Sequence, residues 1–378
     1  MLIILIWHKF KLKKQVKIDI IAGARPNFMK IAPIIEAIKL EQQLGANIQY
    51  RLIHTGQHYD KNMSDNFFEQ LQIPLPDLNL EAGGGTQAEQ TANIMIRYEK
   101  VLIESSTDIC LVVGDVTSTM ACSIVAKKMN VKVAHVEAGI RSFDLTMPEE
   151  INRMVTDAIT DYFFTTSEFA NQNLRKNGIS ENRIFFVGNT MIDTLLKNLN
   201  RLKKPAIYDV LKLKQNNYFV LTLHRPANVD EEGKLKDLIA QIIKHTQGLT
   251  IIFPVHPRTA KIFEGLGIHA DTLHTIEPLG YLEFNYLVKN SKAVITDSGG
   301  ITEETTVMGI PCITLRENTE RPETISIGTN ELIGINPNAV KPALDKLFAG
   351  LWKKGNIPDK WDGKTSGRIV AKLLEVEL

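Results

Sequence analysis

Short apolar runs recur along this chain, and each ends in glycine or polar residues before a stretch with helical periodicity. The run Ile109–Val113 (ICLVV) is typical, because it has no strongly polar position and is followed by Gly114-Asp115. A strand without polar positions is usually buried on both faces, as in parallel sheets that are covered by helices. The alternation of such strands with helices therefore predicts an α/β fold built from doubly wound parallel sheets.

The chain is long enough for two domains of this kind, since it has 378 residues. The strand–helix pattern begins at Val16, stops in a polar, lysine-rich stretch at 198–217, and then starts again. We therefore expect a Rossmann-like domain over 16–200 and a second, nucleotide-binding one over 205–364, facing each other across a cleft. The last helical stretch, 365–378, could cross back to the first domain.

Composition argues against several kinds of partner. The 44 Lys and Arg residues balance 43 Asp and Glu, which gives no support to nucleic-acid or membrane-surface binding. No run of 18 apolar residues occurs, and we interpret residues 1–15 as an extension outside the fold. The three cysteines are far apart and lack CxxC spacing, which favours a reducing compartment, the cytoplasm.

The stretch DSGGITEE (297–304) predicts a phosphate site. It follows the apolar run 293–295, and its two glycines let the backbone approach a ligand closely. We expect Asp297 or Ser298 to cap a helix that starts near Ile301, with two glutamates in its first turn. Free N–H groups at a helix start bind phosphate or diphosphate, and a carboxylate there suits ribose hydroxyls. An ordinary tight turn between strand and helix is the alternative interpretation.

Two basic residues stand where the first predicted helix begins. Arg25 follows the glycine turn after the strand 16–22, and Lys30 lies within the first helical turns. A cation beside free N–H groups would hold an anion. A capping turn with solvated basic residues explains the same pattern without a ligand.

Acidic residues follow two neighbouring strands of the first half. Asp115 comes after the strand 109–113, and Glu137 ends the next one. Carboxyl ends of strands in an open α/β sheet point into the ligand crevice, so two acids there indicate a site. Glu149 lies in the first turn of a helix opened by Pro148, where favourable helix-dipole electrostatics offers a simpler explanation, and Arg153 lies one turn further on.

Eight motifs together resemble the non-hydrolysing UDP-N-acetylglucosamine 2-epimerases. They occur in order between about residues 17 and 375, which makes the resemblance far more specific than any single glycine loop. The motifs are GARPNFMK (23–30), HTGQH (54–58), GD (114–115), HVEAGIRS (135–142), PEEINR (148–153), GNTMID (188–193), DSGGITEE (297–304) and TERPE (319–323).

The resemblance implies a GT-B-like fold and the interconversion of UDP-N-acetylglucosamine and UDP-N-acetylmannosamine for surface polysaccharide precursors. The reaction would proceed by elimination and re-addition of UDP, without a metal or cofactor, commonly in a homodimer. Matching motifs assign catalytic roles to Asp115, Glu137, Glu149 and His224. They assign UDP binding to Arg25, Lys30, Arg153, Ser298, Gly299, Gly300, Glu304 and Arg321.

Departures from the family pattern keep other activities open. His224-Arg225 is followed by Pro-Ala-Asn where many members have Glu-Asn. Asp60, after the QH of HTGQH, differs from effector-activated members, so we do not expect activation by a second sugar nucleotide. The same region resembles 2-epimerases of UDP-2,3-diacetamido sugar acids, which are the first alternative. A hydrolysing epimerase, a GT-B glycosyltransferase and a non-catalytic sugar-nucleotide sensor are the others.

Overall fold

A computed structural model describes residues 15–56, 70–225, 228, 231–255, 263, 265, 267–268 and 270–376. The chain forms two compact units. One consists of the described residues up to Thr194 together with those from Gly363 onward, and the other of Leu195–Asp362. The predicted extension, residues 1–15, falls almost entirely outside the described residues.

The first unit is a parallel sheet covered by helices. Its strands are β1 (Val16–Ala22), β2 (Ile48–His54), β3 (Leu78–Asn79), β4 (Ile109–Val113), β5 (Lys132–Val136), β6 (Tyr162–Thr165) and β7 (Ile184–Phe186). Its helices are α1 (Arg25–Gln43), α2 (Gln87–Glu104), α3 (Thr117–Lys128), α4 (Pro148–Ile159), α5 (Glu168–Lys176), the start of α6 (Thr190–Asn198) and, from the end of the chain, α13 (Thr365–Glu375).

The strand order in this sheet is β3-β2-β1-β4-β5-β6-β7, and every pair is parallel. The order reverses between β1 and β4, so the carboxyl ends of these two strands flank the crevice where such sheets bind ligands. All five residues of β4 are buried, as expected for an apolar strand covered on both faces. This strand therefore lies in the core of the first unit, and the loop that begins with Gly114 follows it directly.

The second unit repeats the design. Its strands are β8 (Tyr218–Thr222), β9 (Thr250–Pro254), β10 (Leu273–Ile276), β11 (Ala293–Thr296), β12 (Cys312–Thr314) and β13 (Asn330–Leu332). Its helices are α7 (Ala206–Val210), α8 (Glu232–His245), α9 (Tyr281–Asn290), α10 (Gly299–Met308), α11 (Pro322–Ser326) and α12 (Val340–Phe348).

All strands of the second sheet are parallel, in the order β10-β9-β8-β11-β12-β13. The order reverses between β8 and β11, which places the loops after these two strands side by side. The predicted α/β class, two doubly wound Rossmann-like units, is confirmed. No helix in the described part of the chain is long and apolar enough to cross a bilayer.

The final helix belongs to the first unit. The backbone N–H groups of Thr365 and Ser366 donate to the carboxylate of Asp193 at 3.1 and 2.7 Å, which caps the start of α13. Ile369, Val370 and Leu373 are fully buried on its inner face, and the helix packs against α1. The end of the chain thus closes the core beside the helix that follows β1.

The polar stretch 198–217, where the strand–helix pattern of the sequence stops between the two expected domains, is part of the second unit. It contains α7, and the ring of Tyr208 packs edge-on against Tyr218 of β8 with centroids 6.0 Å apart. Leu213 of this stretch belongs to the same hydrophobic cluster. Composition alone suggested a solvated connection because more than half of the residues in this stretch are polar, four of them lysines, and it contains Pro205.

Candidate functional site

The crevice end of the first sheet is tied together by Asn27. Its side-chain oxygen accepts hydrogen bonds from the N–H groups of Gly23 and Ala24 at 3.1 and 2.9 Å, and its amide donates to the carbonyl of Val113 at 2.9 Å. One side chain of α1 therefore joins the loop after β1 to the end of β4. The sequence analysis did not single out Asn27, although it lies within the GARPNFMK motif.

Lys30 and Glu137 form a buried ion pair beside this junction. Lys30 Nζ lies 2.8 Å from Glu137 Oε2, and the two residues are 9% and 3% exposed. An ideal Cβ at Gly114 would stand 3.1 Å from the ammonium nitrogen, so glycine at this position leaves room for the pair. Lys30, which the motif assigned to UDP, is thus already engaged with a candidate catalytic acid.

The second candidate acid is held in the same manner. Asp115 accepts a hydrogen bond from the guanidinium of Arg153, and its carbonyl accepts one from the amide of Asn152 at 2.8 Å. The Asp115 side chain keeps 27% of its surface exposed, whereas that of Arg153 keeps 4%. The carboxylate is therefore fixed in orientation but still open on one side.

Glu150 anchors this arrangement from below. Its Oε2 lies 2.8 Å from Arg153 Nη1 and also accepts from the N–H and hydroxyl of Ser142, while its Oε1 accepts from the N–H of Phe143. Glu150 is 1% exposed, and its neighbour Glu149 is only half-buried. The two adjacent glutamates of the PEEINR motif thus differ, since one is locked into the fold and the other is accessible.

A third buried network lies behind both acids. His135 Nδ1 is 2.7 Å from Asp157 Oδ1, and its Nε2 is 2.8 Å from the carbonyl oxygen of Gly114. Arg141 Nη1 reaches the other carboxylate oxygen at 2.7 Å. Burial opposes ionisation of Asp157, but the charges and hydrogen bonds of His135 and Arg141 leave its pKa below the ordinary value. Both ring nitrogens of His135 therefore lie within hydrogen-bonding distance of an oxygen atom.

Asp297 organises the crevice end of the second sheet. It is fully buried and accepts from the N–H groups of His224 and Arg225 at 3.0 and 2.9 Å, and from the Asn228 amide at 3.0 Å. Burial by itself would raise the pKa of Asp297, but these hydrogen bonds outweigh burial. The pKa of the carboxyl group therefore lies below its ordinary value. We expected Asp297 or Ser298 to cap a helix, but Asp297 instead joins the loop after β8 to the end of β11. It leaves the His224 side chain 63% exposed.

Helix α10 starts at Gly299, two residues earlier than the sequence predicted. Ser298 occupies the N-cap position, but its side chain makes no capping hydrogen bond, and its N–H donates to the hydroxyl of Thr296 at 3.0 Å. Two glycines therefore form the first turn. The prediction that Glu303 and Glu304 lie in that turn was wrong, since both lie in the second turn.

These two glutamates have separate partners. Glu304 is 4% exposed, its Oε1 accepts from the Tyr281 hydroxyl at 2.7 Å, and the Asn285 amide lies 3.5 Å away. Burial raises the pKa of Glu304 to about 7, despite the hydrogen bond from Tyr281. Glu303 instead forms an ion pair with Arg321. Arg321 therefore lies beside the second turn of α10, which also carries Glu304, but the two glutamates of that turn bind different partners.

Some predicted site residues cannot be placed. The backbone of Arg25 opens α1, but its side chain and residues 57–69, including Asp60 and the QH of HTGQH, lie outside the described part of the chain. Within the described ranges, no three His, Cys, Asp or Glu side chains come together as a metal ion would require.

Two doubly wound parallel sheets with charged residues at their crevice ends define a Rossmann-like α/β protein, and comparison with known proteins makes the class specific. The family model for UDP-N-acetylglucosamine 2-epimerase matches residues 40–374. The chain belongs to the UDP-N-acetylglucosamine 2-epimerase family, as the motifs indicated.

Similar proteins cover nearly the whole chain. It is 43% identical over 370 residues to the UDP-N-acetylglucosamine 2-epimerase of Methanocaldococcus jannaschii, covering 95% of this chain and 98% of that one. A crystal structure of the M. jannaschii enzyme with UDP-GlcNAc and UDP superposes with a TM-score of 0.85 over 96% of this chain and all of that chain. The UDP-2,3-diacetamido-2,3-dideoxy-D-glucuronate 2-epimerase of Pseudomonas aeruginosa is 39% identical over 321 residues, which cover 84% of this chain and 88% of that one. The GT-B-like fold class is thereby confirmed.

The contrast between the two adjacent glutamates gives a stability prediction. Glu150→Gln should destabilise the protein by about 3 kcal/mol, because it removes one of the two carboxylates that balance the buried guanidinium of Arg153, and the more deeply buried of the two. Glu149→Gln should change stability by no more than about 0.5 kcal/mol, since that side chain is half-buried and outside the network. Urea unfolding of both variants measures the difference, and equal unfolding midpoints would contradict the anchoring role of Glu150.

Proposed function

We propose that the protein catalyses the reversible epimerisation of UDP-N-acetylglucosamine and UDP-N-acetylmannosamine at C2. Family membership supports the reaction, and one structural observation supports it most directly. Asp115 and Glu137 follow the neighbouring strands β4 and β5 of the first sheet, and each forms an ion pair with a buried cation, Arg153 for Asp115 and Lys30 for Glu137. Acids that are fixed in place and charge-balanced in this way suit proton transfer at a substrate carbon.

The chemistry explains why several acids are needed. The C2 proton has no adjacent carbonyl to acidify it, so a carboxylate must remove it while UDP leaves from C1. The electrons of the C2–H bond form a C1–C2 double bond, and those of the C1–O bond stay on the phosphate oxygen. The intermediate is a 2-acetamidoglucal. UDP then adds back to C1 while an acid returns a proton to the other face of C2.

We assign proton transfer to residues of the first unit and nucleotide binding to residues of the second. Asp115, Glu137 and Glu149 are the candidate acids and bases, and the exposed His224 is a candidate partner for substrate. Lys30 and Arg153 already pair with acids, so we propose that they fix the charge of those acids and contact substrate from there.

The nucleotide is assigned to α10 and its neighbours. Gly299 and Gly300 offer the first-turn N–H groups of the helix to the diphosphate, together with Ser298. The carboxylate of Glu304 accepts the ribose hydroxyls, and Arg321 adds a cation. Arg25 is assigned to the same anion from its motif.

The similarity to the P. aeruginosa enzyme makes a diacetamido sugar acid the leading alternative substrate. The acids of the first unit argue against a glycosyltransferase, which needs at most one base on the donor side. Incubation with each UDP-sugar, followed by NMR of the products, separates these activities. Release of free N-acetylmannosamine and UDP would identify a hydrolysing enzyme.

We further propose that the protein is a cytoplasmic homodimer that supplies precursors for surface polysaccharides. The described cysteines, Cys110, Cys122 and Cys312, are free and buried, which fits a reducing compartment. Exposed apolar side chains on α2 and α4, among them Ile96, Ile103, Ile151 and Met154, offer a surface for a second copy. A monomer mass in sedimentation equilibrium at micromolar concentration would contradict the dimer.

Removing either candidate acid should stop turnover without emptying the nucleotide site. We expect Asp115→Asn and Glu137→Gln to abolish epimerisation while the Kd for UDP stays within about tenfold, because neither residue is assigned to the diphosphate. In the wild type, solvent deuterium should enter C2 of the product. A fully active Asp115→Asn variant, or a product without deuterium, would overturn these roles.

The buried Glu304 should oppose stability and support binding. Its pKa of about 7 in the folded chain exceeds the ordinary 4.5, so between these values the folded state retains a proton that the unfolded state has lost. Stability therefore falls as pH rises from about 4.5 to 7. We expect Glu304→Gln to be about 1–3 kcal/mol more stable than wild type at pH 8, with the advantage vanishing below pH 4.5.

The same substitution should weaken the binding of UDP, because the ribose hydroxyls are proposed to donate hydrogen bonds to the carboxylate of Glu304. Wild-type affinity for UDP should increase from pH 6 to 8 as Glu304 ionises, whereas the affinity of the glutamine variant should be lower and independent of this titration. Calorimetric titrations at both pH values measure the effect. An unchanged Kd in the variant would remove Glu304 from the ribose site.

A further inference from the structure

Arg316 is a buried cation that none of the assignments above uses. It follows β12, next to the carboxyl end of β11, and its side chain is only 3% exposed. Its Nη2 lies 2.6 Å from Glu320 Oε2 and donates to Asn318 at 3.2 Å. Its Nη1 has no hydrogen-bond partner among the described residues. A buried N–H group without an acceptor is costly, so this one indicates an acceptor that a ligand supplies.

The unpartnered nitrogen lies beside the start of α10. An ideal Cβ on Gly299, the first residue of that helix, would stand 3.8 Å from Arg316 Nη1. The first-turn N–H groups of a helix also lack intrahelical acceptors, and the Ser298 side chain does not cap them. A buried guanidinium nitrogen and free backbone N–H groups thus lie close together beside Gly299, which suits an anion, although Glu320 Oε1 also lies 4.0 Å from the same Cβ position.

The charges around this place favour the same occupant. Arg225 also approaches Glu320, with Nη2 3.5 Å from Oε1, and its Nε donates to the carbonyl of Asp297 at 3.2 Å. Two guanidinium groups therefore share the carboxylate of Glu320. Burial and the neighbouring Arg225 lower the pKa of Arg316, although the carboxylates of Glu320 and Asp297 act in the opposite direction.

Position along α10 indicates which phosphate lies here. Glu304, assigned to the ribose, follows Gly299 by five residues, which is about 7.5 Å along a helix. Arg321 pairs with Glu303, next to the ribose end, whereas Arg316 lies at the other end of this span. The phosphate farther from the ribose is the β-phosphate, which carries the oxygen bonded to C1 of the sugar.

We propose that Arg316 binds the β-phosphate of UDP and neutralises the charge that develops on its oxygen when the C1–O bond breaks. Glu320 is the positioning residue that holds the guanidinium against the first turn of α10. In the elimination the bond electrons pass to the β-phosphate oxygen, and in the re-addition they return to C1. The inference rests on the proposed function, which it deepens by assigning the group that stabilises the leaving diphosphate.

Calorimetry with UDP, UMP and uridine tests the assignment. Arg316→Met should weaken UDP binding by about 10- to 100-fold, the effect of one lost charge-assisted hydrogen bond, and leave UMP and uridine within about twofold. Lys292→Met is the matched control. Lys292 precedes β11 at the amino end of that strand, away from the carboxyl end that Arg316 adjoins, and its loss changes net charge equally. This control should bind all three ligands like wild type.

The outcomes separate the inference from the function. Unchanged UDP affinity in Arg316→Met, or an equal loss for UMP, would overturn the β-phosphate assignment. A wild-type protein that binds none of the three ligands would overturn the proposed function instead.

Arg316→Lys keeps the buried charge and covers the case in which the methionine variant does not fold. It should lower kcat by about tenfold or more and change KM less, because the interaction strengthens as the bond breaks. Wild-type kcat in the lysine variant would overturn the leaving-group role.

Discussion

Charge that is buried at the carboxyl ends of parallel strands has to be paired, and this requirement organises both units. In the first sheet, Lys30 pairs with Glu137, and Arg153 pairs with both Asp115 and Glu150. In the second, the buried carboxylate of Asp297 collects backbone and side-chain donors from the loop after β8. Breaking a buried pair by removing one partner leaves an uncompensated charge, which costs several kcal/mol. The polar ends of the sheets are therefore as constrained as the apolar cores beneath them.

The two units use this constraint for different chemistry. The first presents acids whose orientation is fixed from behind, by Glu150 through Arg153 and by His135 through the carbonyl of Gly114. The second presents donors, namely the start of α10 and guanidinium groups that share the carboxylate of Glu320. Proton transfer at carbon needs the first kind of site, and departure of a diphosphate needs the second. The proposed elimination and re-addition of UDP requires both.

Not every group in these sites stabilises the fold. Glu304 is a carboxylic acid buried against Tyr281, with a pKa raised to about 7, so its ionisation works against the folded state near neutral pH. Arg316 keeps a buried N–H without an acceptor in the described structure. Strain of this sort is expected where the missing partner is a ligand, because binding then supplies the hydrogen bonds that the fold withholds.

The sequence by itself determined the α/β class and most of its elements. Runs such as Ile109–Val113 favour burial on both faces, and Pro148 favours the first position of a helix, so local chemistry sufficed. It also determined the family, through motifs that contain most of the charged residues of the candidate site. The tertiary structure decided their partners: it separated Glu150 from Glu149 and paired Lys30 with Glu137, 107 positions away. It also revealed Asn27 and Arg316. Pairing depends on which strand ends meet in the folded sheet, and no local pattern encodes that contact.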